Sequence, residues 1–272
     1  QPKPTSLRKT LKPIAQDNKM RHSLTLNTIL IPLLAGCTGG AQDMATSEPA
    51  PETDKQFLLT YPNLENSDGD VVLENEHVVL QRLVVGPGEW EGIHSHPGNQ
   101  VIIHIKGGEW SGRIGGKSEY SGIVSEDGEV GWMDAIPLSA GHDSGNTGDT
   151  PIDLIYVTLK SDAPIAPEVE HAPQIYPNIP LELLLENDRV IVQRVRVEPG
   201  HWTGIHSHPG NQIYIHIKGG IWSERCGGVQ SPPEPFSKAG SVGWMDAVDL
   251  SMGHESGNTG DTTIDFVLVT LK

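Results

Sequence analysis

Residues 94–100 read His94-Ser95-His96-Pro97-Gly98-Asn99-Gln100, and the same seven residues return 112 positions later as His206-Ser207-His208-Pro209-Gly210-Asn211-Gln212. In an extended strand, residues two apart point to the same side, so each pair of histidines can direct both imidazoles at one point. The Pro-Gly that follows favours a turn, because proline fixes φ and glycine permits a positive φ. Such a turn would return the glutamine on a neighbouring strand beside the histidines.

A third histidine recurs in each half of the chain, two residues before a shared Ser-Gly-Asn-Thr-Gly-Asp segment. Residues 73–160 and 185–272 align without a gap, and about 60% of the paired residues are identical, which indicates an internal duplication. Three imidazoles and an amide oxygen form a good donor set for a divalent first-row transition metal. The predicted metal ligands are therefore His94, His96, Gln100 and His142 in the first half, and His206, His208, Gln212 and His254 in the second.

Composition favours an all-β chain. Glycine and proline are abundant, with 31 and 21 residues, and only 5% of the residues are aromatic. Beyond the first thirty-five or so residues we find no long stretch with helical periodicity. The formal net charge of −16 argues against a nucleic-acid surface, which needs clustered lysines and arginines.

The sequence pattern near the N-terminus is typical of a bacterial lipoprotein signal. Residues 1–19 look like upstream sequence before Met20, and a short apolar run then ends at Cys37, the predicted lipidation site. The run is too short to span a membrane as a helix; an ordinary signal peptide or a disordered apolar arm are the alternatives. We therefore expect a lipid-anchored protein of the bacterial cell envelope, either periplasmic or surface-exposed. The predicted layout begins with upstream residues and the signal at 1–37 and a flexible linker at 38–56. A first domain at 57–160, a proline-rich linker at 161–174 and a second domain at 175–272 follow.

The repeated motifs resemble those of the cupin superfamily. The first cupin motif is matched by Gly88, His94, His96, Gln100 and Gly107, and by Gly200, His206, His208, Gln212 and Gly219. The second is matched by Gly131, Pro137, His142 and Asn146, and in the second half by Gly243, His254 and Asn258. The resemblance implies a bicupin with two tandem jelly-roll barrels, most similar to short cupins linked by name to β-alanine degradation. Glutamine stands where the family usually has glutamate, and Ser139, Ser251 and Asp249 also depart from the pattern.

The prediction is one ion of iron, nickel, manganese, copper or zinc per domain. Because the predicted ligands are all neutral, the ion would keep its 2+ charge and favour a small anionic partner. The histidines have an alternative explanation as buried structural residues. Asp143 and Glu255 adjoin the third histidines, but strand alternation would turn them away from the metal. No catalytic acid or base is identified from the sequence.

Three further pairs recur in both halves. Trp90 and Trp202 could line a pocket mouth or pack in the core, and Arg82 and Arg194 could meet a substrate carboxylate or form ion pairs. His104 and His216 are predicted to be packed core histidines, too far along the strand to reach the same ion.

Two kinds of function fit these features. One is a metal-dependent enzyme acting on a small anionic organic substrate, with a dioxygenase-like reaction implied by the resemblance to bicupin dioxygenases. A metal-dependent isomerase or decarboxylase is a variant of this hypothesis. The other is a non-catalytic, surface-tethered protein that binds a metal or a small ligand.

Overall fold

The computed structural model describes residues 55–66, 69–162 and 172–272. Within these residues, regular structure is β-strand apart from short 3-10 turns at Lys55–Phe57, Leu138–Ala140 and Leu250–Met252, which confirms the all-β prediction. None of the helices in this part of the chain has the length and apolar character needed to span a membrane. The predicted signal peptide, Cys37 and most of the first linker lie outside the described residues, so lipidation and envelope location stay predictions.

Each half contributes eight strands. In the first half they are β1 (Asp70–Glu74), β2 (Val78–Val85), β3 (Gln100–Lys106), β4 (Glu109–Ile114), β5 (Lys117–Val124), β6 (Val130–Met133), β7 (Asp143–Asn146) and β8 (Ile152–Leu159). In the second half they are β9 (Leu181–Glu186), β10 (Val190–Val197), β11 (Gln212–Lys218), β12 (Trp222–Cys226), β13 (Val229–Gln230), β14 (Val242–Met245), β15 (Glu255–Asn258) and β16 (Ile264–Leu271).

Both halves have the same antiparallel topology. A five-stranded sheet in the order β1-β2-β8-β3-β6 faces a three-stranded sheet in the order β5-β4-β7, and the second half repeats this as β9-β10-β16-β11-β14 and β13-β12-β15. The last strand of each half lies between two early strands; β8, for example, pairs with β2 over its whole length and also with β3. This is the strand order of a jelly roll.

The two five-stranded sheets share one hydrophobic core. Along β3, the side chains of Val101, Ile103 and Ile105 belong to a buried cluster that also contains residues of β10, β11 and β16 from the second half. Alternate residues of the same strand face the interior of their own half, where Ile102 packs against a separate core. Each buried valine or isoleucine contributes about 1.5–3 kcal/mol relative to exposure, so this shared layer is a main source of stability.

The fifth strand of each half is the main difference between the repeats. β5 has eight residues, whereas its counterpart β13 has two. Residues 231–235 of the second half read Ser-Pro-Pro-Glu-Pro, and proline cannot donate a hydrogen bond to a β-ladder. The prolines therefore end the strand early.

Candidate metal centres

Three histidines meet at one interior point in each half. Residues 90–96 form an extended segment held by isolated bridges rather than a regular strand, and the backbone N–H of His94 donates to the carbonyl of His142 at 3.0 Å. The same pairing joins His206 to His254 at 2.9 Å. One ring nitrogen from each of His94, His96 and His142 lies within 4.8 Å of the others, as do those of His206, His208 and His254. All six side chains are buried.

A tight turn follows the second histidine of each segment. Gly98 has φ 90° and Asn99 has φ 51°, a region that asparagine tolerates better than most residues. A Cβ at Gly98 would lie 2.9 Å from the backbone nitrogen of Ala135, so glycine is required there. The turn returns the chain on β3 with Gln100 as its first residue, as the sequence predicts.

Hydrogen bonding fixes the tautomer of the first histidine. His94 Nδ1 lies 2.8 Å from the carbonyl oxygen of Gly92, which can only accept, so Nδ1 carries the proton. His94 Nε2 therefore presents a lone pair to His96 Nε2, 3.0 Å away. In the second half His206 Nδ1 donates to Gly204 at 2.8 Å, and its Nε2 lies 3.1 Å from His208 Nε2.

Each predicted glutamine ligand is hydrogen-bonded to the second histidine of its segment. Gln100 Oε1 accepts a hydrogen bond from His96 Nδ1 at 3.0 Å, and its amide nitrogen donates to Thr158 Oγ1 at 2.8 Å. Gln212 repeats this arrangement with His208 Nδ1 at 2.9 Å and Thr270 at 2.9 Å. Because Nδ1 and Nε2 point to different sides of the imidazole, the glutamine oxygen lies behind the ring. In this position it orients the histidine ring, and ligation of the ion by the glutamine stays a prediction.

Facing lone pairs at this distance fit a bound cation. Burial lowers the pKa of His96 to about 3 and that of His208 to about 4, so a proton between the two rings is disfavoured at neutral pH. Two ligand atoms about 2.1 Å from one ion lie about 3.0 Å apart when they subtend 90°. The Nδ1 atoms of His142 and His254 are buried without a hydrogen-bond partner among the described residues. The three histidines of each cluster form a donor set that could hold a divalent transition-metal ion.

Sequence reasoning missed a buried carboxyl group in the first site. Glu91 is fully buried; its Oε2 lies 3.5 Å from His94 Nε2 and accepts a short hydrogen bond from Ser144 Oγ. Burial raises its pKa to about 8, against the opposing effect of the Ser144 hydrogen bond and with a smaller contribution from Asp143. Simple alternation would place Glu91 and His94 on opposite sides, but Gly92 between them has φ 83° and changes the phase. The one signal in the sequence was the contrast with Thr203 in the second half.

The jelly-roll strand order and the convergence of both histidine motifs occur together in each half. Each half of the chain has the cupin fold. This is the fold that the resemblance of the motifs implies. No family model matches the chain, and no curated protein sequence matches it significantly.

Solved structures with a similar fold include three proteins at low sequence identity. A cupin 2 conserved barrel domain protein from Leptotrichia buccalis is 12% identical with a TM-score of 0.43, and the match covers 75% of this chain and 88% of that one. AerE from Microcystis aeruginosa is 13% identical with a TM-score of 0.48, covering 80% and 99%. A mutant salicylate 1,2-dioxygenase from Pseudoaminobacter salicylatoxidans in complex with gentisate is 10% identical with a TM-score of 0.46, covering 82% and 76%.

The arginines that were candidates for substrate binding form ion pairs, which was one of the two predicted alternatives. Arg82 makes two hydrogen bonds to the Asp153 carboxylate, at 2.9 and 2.6 Å, and Arg194 makes the equivalent pair with Asp265. Each guanidinium group also packs on a glycine of the other cupin repeat, Arg82 on Gly240 and Arg194 on Gly128. These contacts join the two repeats.

The two candidate pocket tryptophans are held by packing. The guanidinium carbon of Arg113 lies 3.6 Å above the Trp90 ring, and that of Arg225 lies 3.4 Å above the Trp202 ring. Glycines of β7 and β15 pack against the same rings. One face of each half-buried indole is thus covered by an arginine, and a place at a pocket mouth stays a prediction.

The remaining candidates lie outside the histidine clusters. Asp143 Oδ1 accepts from the backbone N–H of Gly92, and Glu255 pairs with Arg225 at 3.1 Å, so both carboxylates are engaged elsewhere, as alternation predicts. His216 is buried against Trp222 and Phe266. Its counterpart His104 is only partly buried and contacts Ser125.

The hydrogen bond behind the second histidine gives a testable prediction. In a chain whose second site is disabled by His206→Ala, Gln100→Leu should weaken metal binding about 10–100-fold, because His96 loses the partner that orients its ring. Gln100→Glu should retain the affinity, since a carboxylate also accepts the proton of Nδ1. Competition with a chromophoric chelator measures both variants. Equal affinity of the leucine variant and its parent would contradict the orienting role.

Proposed function

We propose that each cupin repeat binds one divalent first-row transition metal ion through its three histidines, and that the protein uses bound metal to act on a small anionic organic molecule. The observation that carries this proposal is that two Nε2 atoms with lone pairs face each other in each repeat. They lie 3.0 Å apart in the first repeat and 3.1 Å apart in the second. A buried site with neutral imidazoles facing one another is unfavourable without a cation between them.

The surrounding residues hold the ligands and exclude water. Gly92 and Gln100 fix the protons of His94 and His96 on the far sides of the rings. The ring of Tyr61 packs edge-on against that of His94, with the ring centroids 5.0 Å apart. The ring of Tyr176 packs against that of His206, with the centroids 4.5 Å apart. In such a site the ion, when bound, supplies Lewis-acid and redox chemistry and attracts an anionic ligand.

The dioxygenase-like reaction is supported by the resemblance of the repeated motifs to those of bicupin dioxygenases. Neutral imidazole ligands leave the charge of the ion uncompensated, which favours a carboxylate, enediolate or phenolate in a free coordination position. Iron, manganese, nickel or copper would suit an oxidation, whereas zinc would suit chemistry without a redox change.

A second candidate, non-catalytic metal binding, is favoured by the burial of the clusters. None of the six histidines is more than 6% exposed, so an organic substrate would need the surrounding side chains to move before it could reach an ion held there. A structural or storage ion needs no such access.

Oxygen consumption separates the two candidates. Iron-loaded protein should take up oxygen with at least one member of a panel of small enediol and hydroxy-aromatic carboxylates, while His94→Ala combined with His206→Ala should not. Zinc-loaded protein is the matched control for binding without redox chemistry. Absence of uptake across the panel, with full iron occupancy and no substrate-dependent change in the iron spectrum, would favour the non-catalytic function.

A further inference from the structure

We propose that Glu91 is a fourth protein ligand of the metal in the first cupin repeat, so that the two metal sites of the chain are not equivalent. The inference rests on the proposed metal binding and deepens it. The first site would hold its ion with three histidines and one carboxylate, whereas the second would hold its ion with three histidines alone.

Distance and burial support ligation by this carboxyl group. Glu91 Oε2 lies 3.5 Å from His94 Nε2, and two ligands about 2.1 Å from one ion are about 3.4 Å apart at the tetrahedral angle. Glu91 Oε1 is buried and has no hydrogen-bond partner among the described residues. A buried carboxylate with an unpaired oxygen is costly unless a cation compensates it. A bound ion would account for both observations.

The second repeat cannot offer the same ligand. Thr203 takes the place of Glu91, and its hydroxyl group is used by the backbone: it donates to the carbonyl of Ser256 at 3.0 Å and accepts from the N–H of the same residue at 3.0 Å. The hydroxyl also lies 3.3 Å from His206 Nδ1, the nitrogen behind the ring. It is therefore on the wrong side of the imidazole to share an ion bound at Nε2.

Two residues near Glu91 are also polar in the first repeat and apolar in the second. Tyr120 and Tyr156, whose pKa values are raised first by burial and also by the charge of Glu91, have Pro232 and Leu268 as their counterparts. These two positions are thus more polar in the first repeat than in the second. They are suited to a carboxyl group that the second site does not contain.

The two sites should then differ in charge and affinity. Adding a carboxylate reduces the net charge of a divalent site from 2+ to 1+ and adds a ligand. The first site should therefore bind a divalent ion more tightly, and the second should keep the stronger attraction for an external anion.

Titration of the metal-free full chain with Co²⁺, followed by visible absorption, tests the assignment. The unaltered protein should bind two ions in steps whose dissociation constants differ by about tenfold or more. Glu91→Gln, which keeps the size of the side chain, should abolish the tight step and its absorption band and leave two weak, similar sites. Thr203→Glu is the reciprocal variant and should tighten the second step, and Thr203→Val should leave the first step unchanged.

The outcomes separate this inference from the proposed function. Two equal Co²⁺ sites in the unaltered protein, with affinity and spectrum unchanged in Glu91→Gln, would overturn the role of Glu91 while metal binding stands. Absence of Co²⁺ binding in the unaltered protein would overturn both. Loss of the tight step in Glu91→Gln, with the weak step retained, supports the assignment and also shows that the variant is folded.

Discussion

Replacing His94 and His206 by alanine in one chain should lower the bound metal from about two ions to fewer than about 0.2 per chain. Each substitution removes one of three imidazoles and also breaks the Nε2 pair that frames the site. Each single variant should lose one ion and keep the other, because each cluster is built within one repeat. Metal analysis by mass spectrometry after purification gives the stoichiometry directly.

The chain offers its own control for this experiment. His104 and His216 also recur in both repeats, but they lie outside the two clusters. Replacing this pair by alanine should leave both ions bound, even where the loss of a packed ring lowers stability. Full metal occupancy in the double variant of His94 and His206 would show that the cluster histidines are not the ligands.

Acid should destabilise the metal-free protein before it affects the loaded protein. Burial lowers the pKa of His96 to about 3 and those of His206, His208 and His254 to about 4, against about 6.5 in an unfolded chain. Between these values the unfolded chain binds more protons, so the free energy of unfolding falls as the pH falls from about 6.5 to about 4. One pKa unit corresponds to about 1.4 kcal/mol, which predicts a loss of several kcal/mol.

Glu91 has the opposite effect on the free energy of unfolding over part of this pH range. Its pKa of about 8 in the folded state lies above the ordinary value of 4.5, so it favours the folded state increasingly as the pH falls from about 8 to about 4.5. One carboxyl group offsets only part of the effect of several histidines. Urea denaturation of the metal-free protein at pH 7, 6, 5 and 4 measures the balance. Replacing His96 and His208 by glutamine should flatten the profile, and a flat profile in the unaltered protein would contradict the shifts.

The histidine clusters could be predicted because local rules determine them. Period-two alternation places His94 and His96 on one side, and the Pro-Gly-Asn turn returns the chain on β3. The duplication added the information that the same residues recur together. These features depend on a few neighbouring residues, and the structure agrees with them.

The role of the glutamines depends on residues distant in sequence. Gln100 turns its amide toward His96 Nδ1, and Thr158, 58 residues further along the chain, takes the amide N–H. Spacing alone could not distinguish this orientation from one in which the amide oxygen faces the ion. The ion pair of Arg82 with Asp153 likewise joins residues 71 apart. Side-chain orientation of this kind is set by tertiary contacts.

Glu91 shows why alternation failed at the edge of the site. One glycine with positive φ rotates the chain between Glu91 and His94, and the carboxyl group enters an interior where it would not be expected. Comparison of the two repeats, position by position, would have drawn attention to the glutamate and threonine at this place.

Metal binding by the two histidine clusters is tested most directly by the metal content of the unaltered full chain, purified without added metal. We expect about two transition-metal ions per chain, with first-row divalent metals making up nearly all of them. Fewer than about 0.2 ions per chain, not restored by added iron, manganese, nickel, copper or zinc, would contradict it and would mean that the paired histidines are structural.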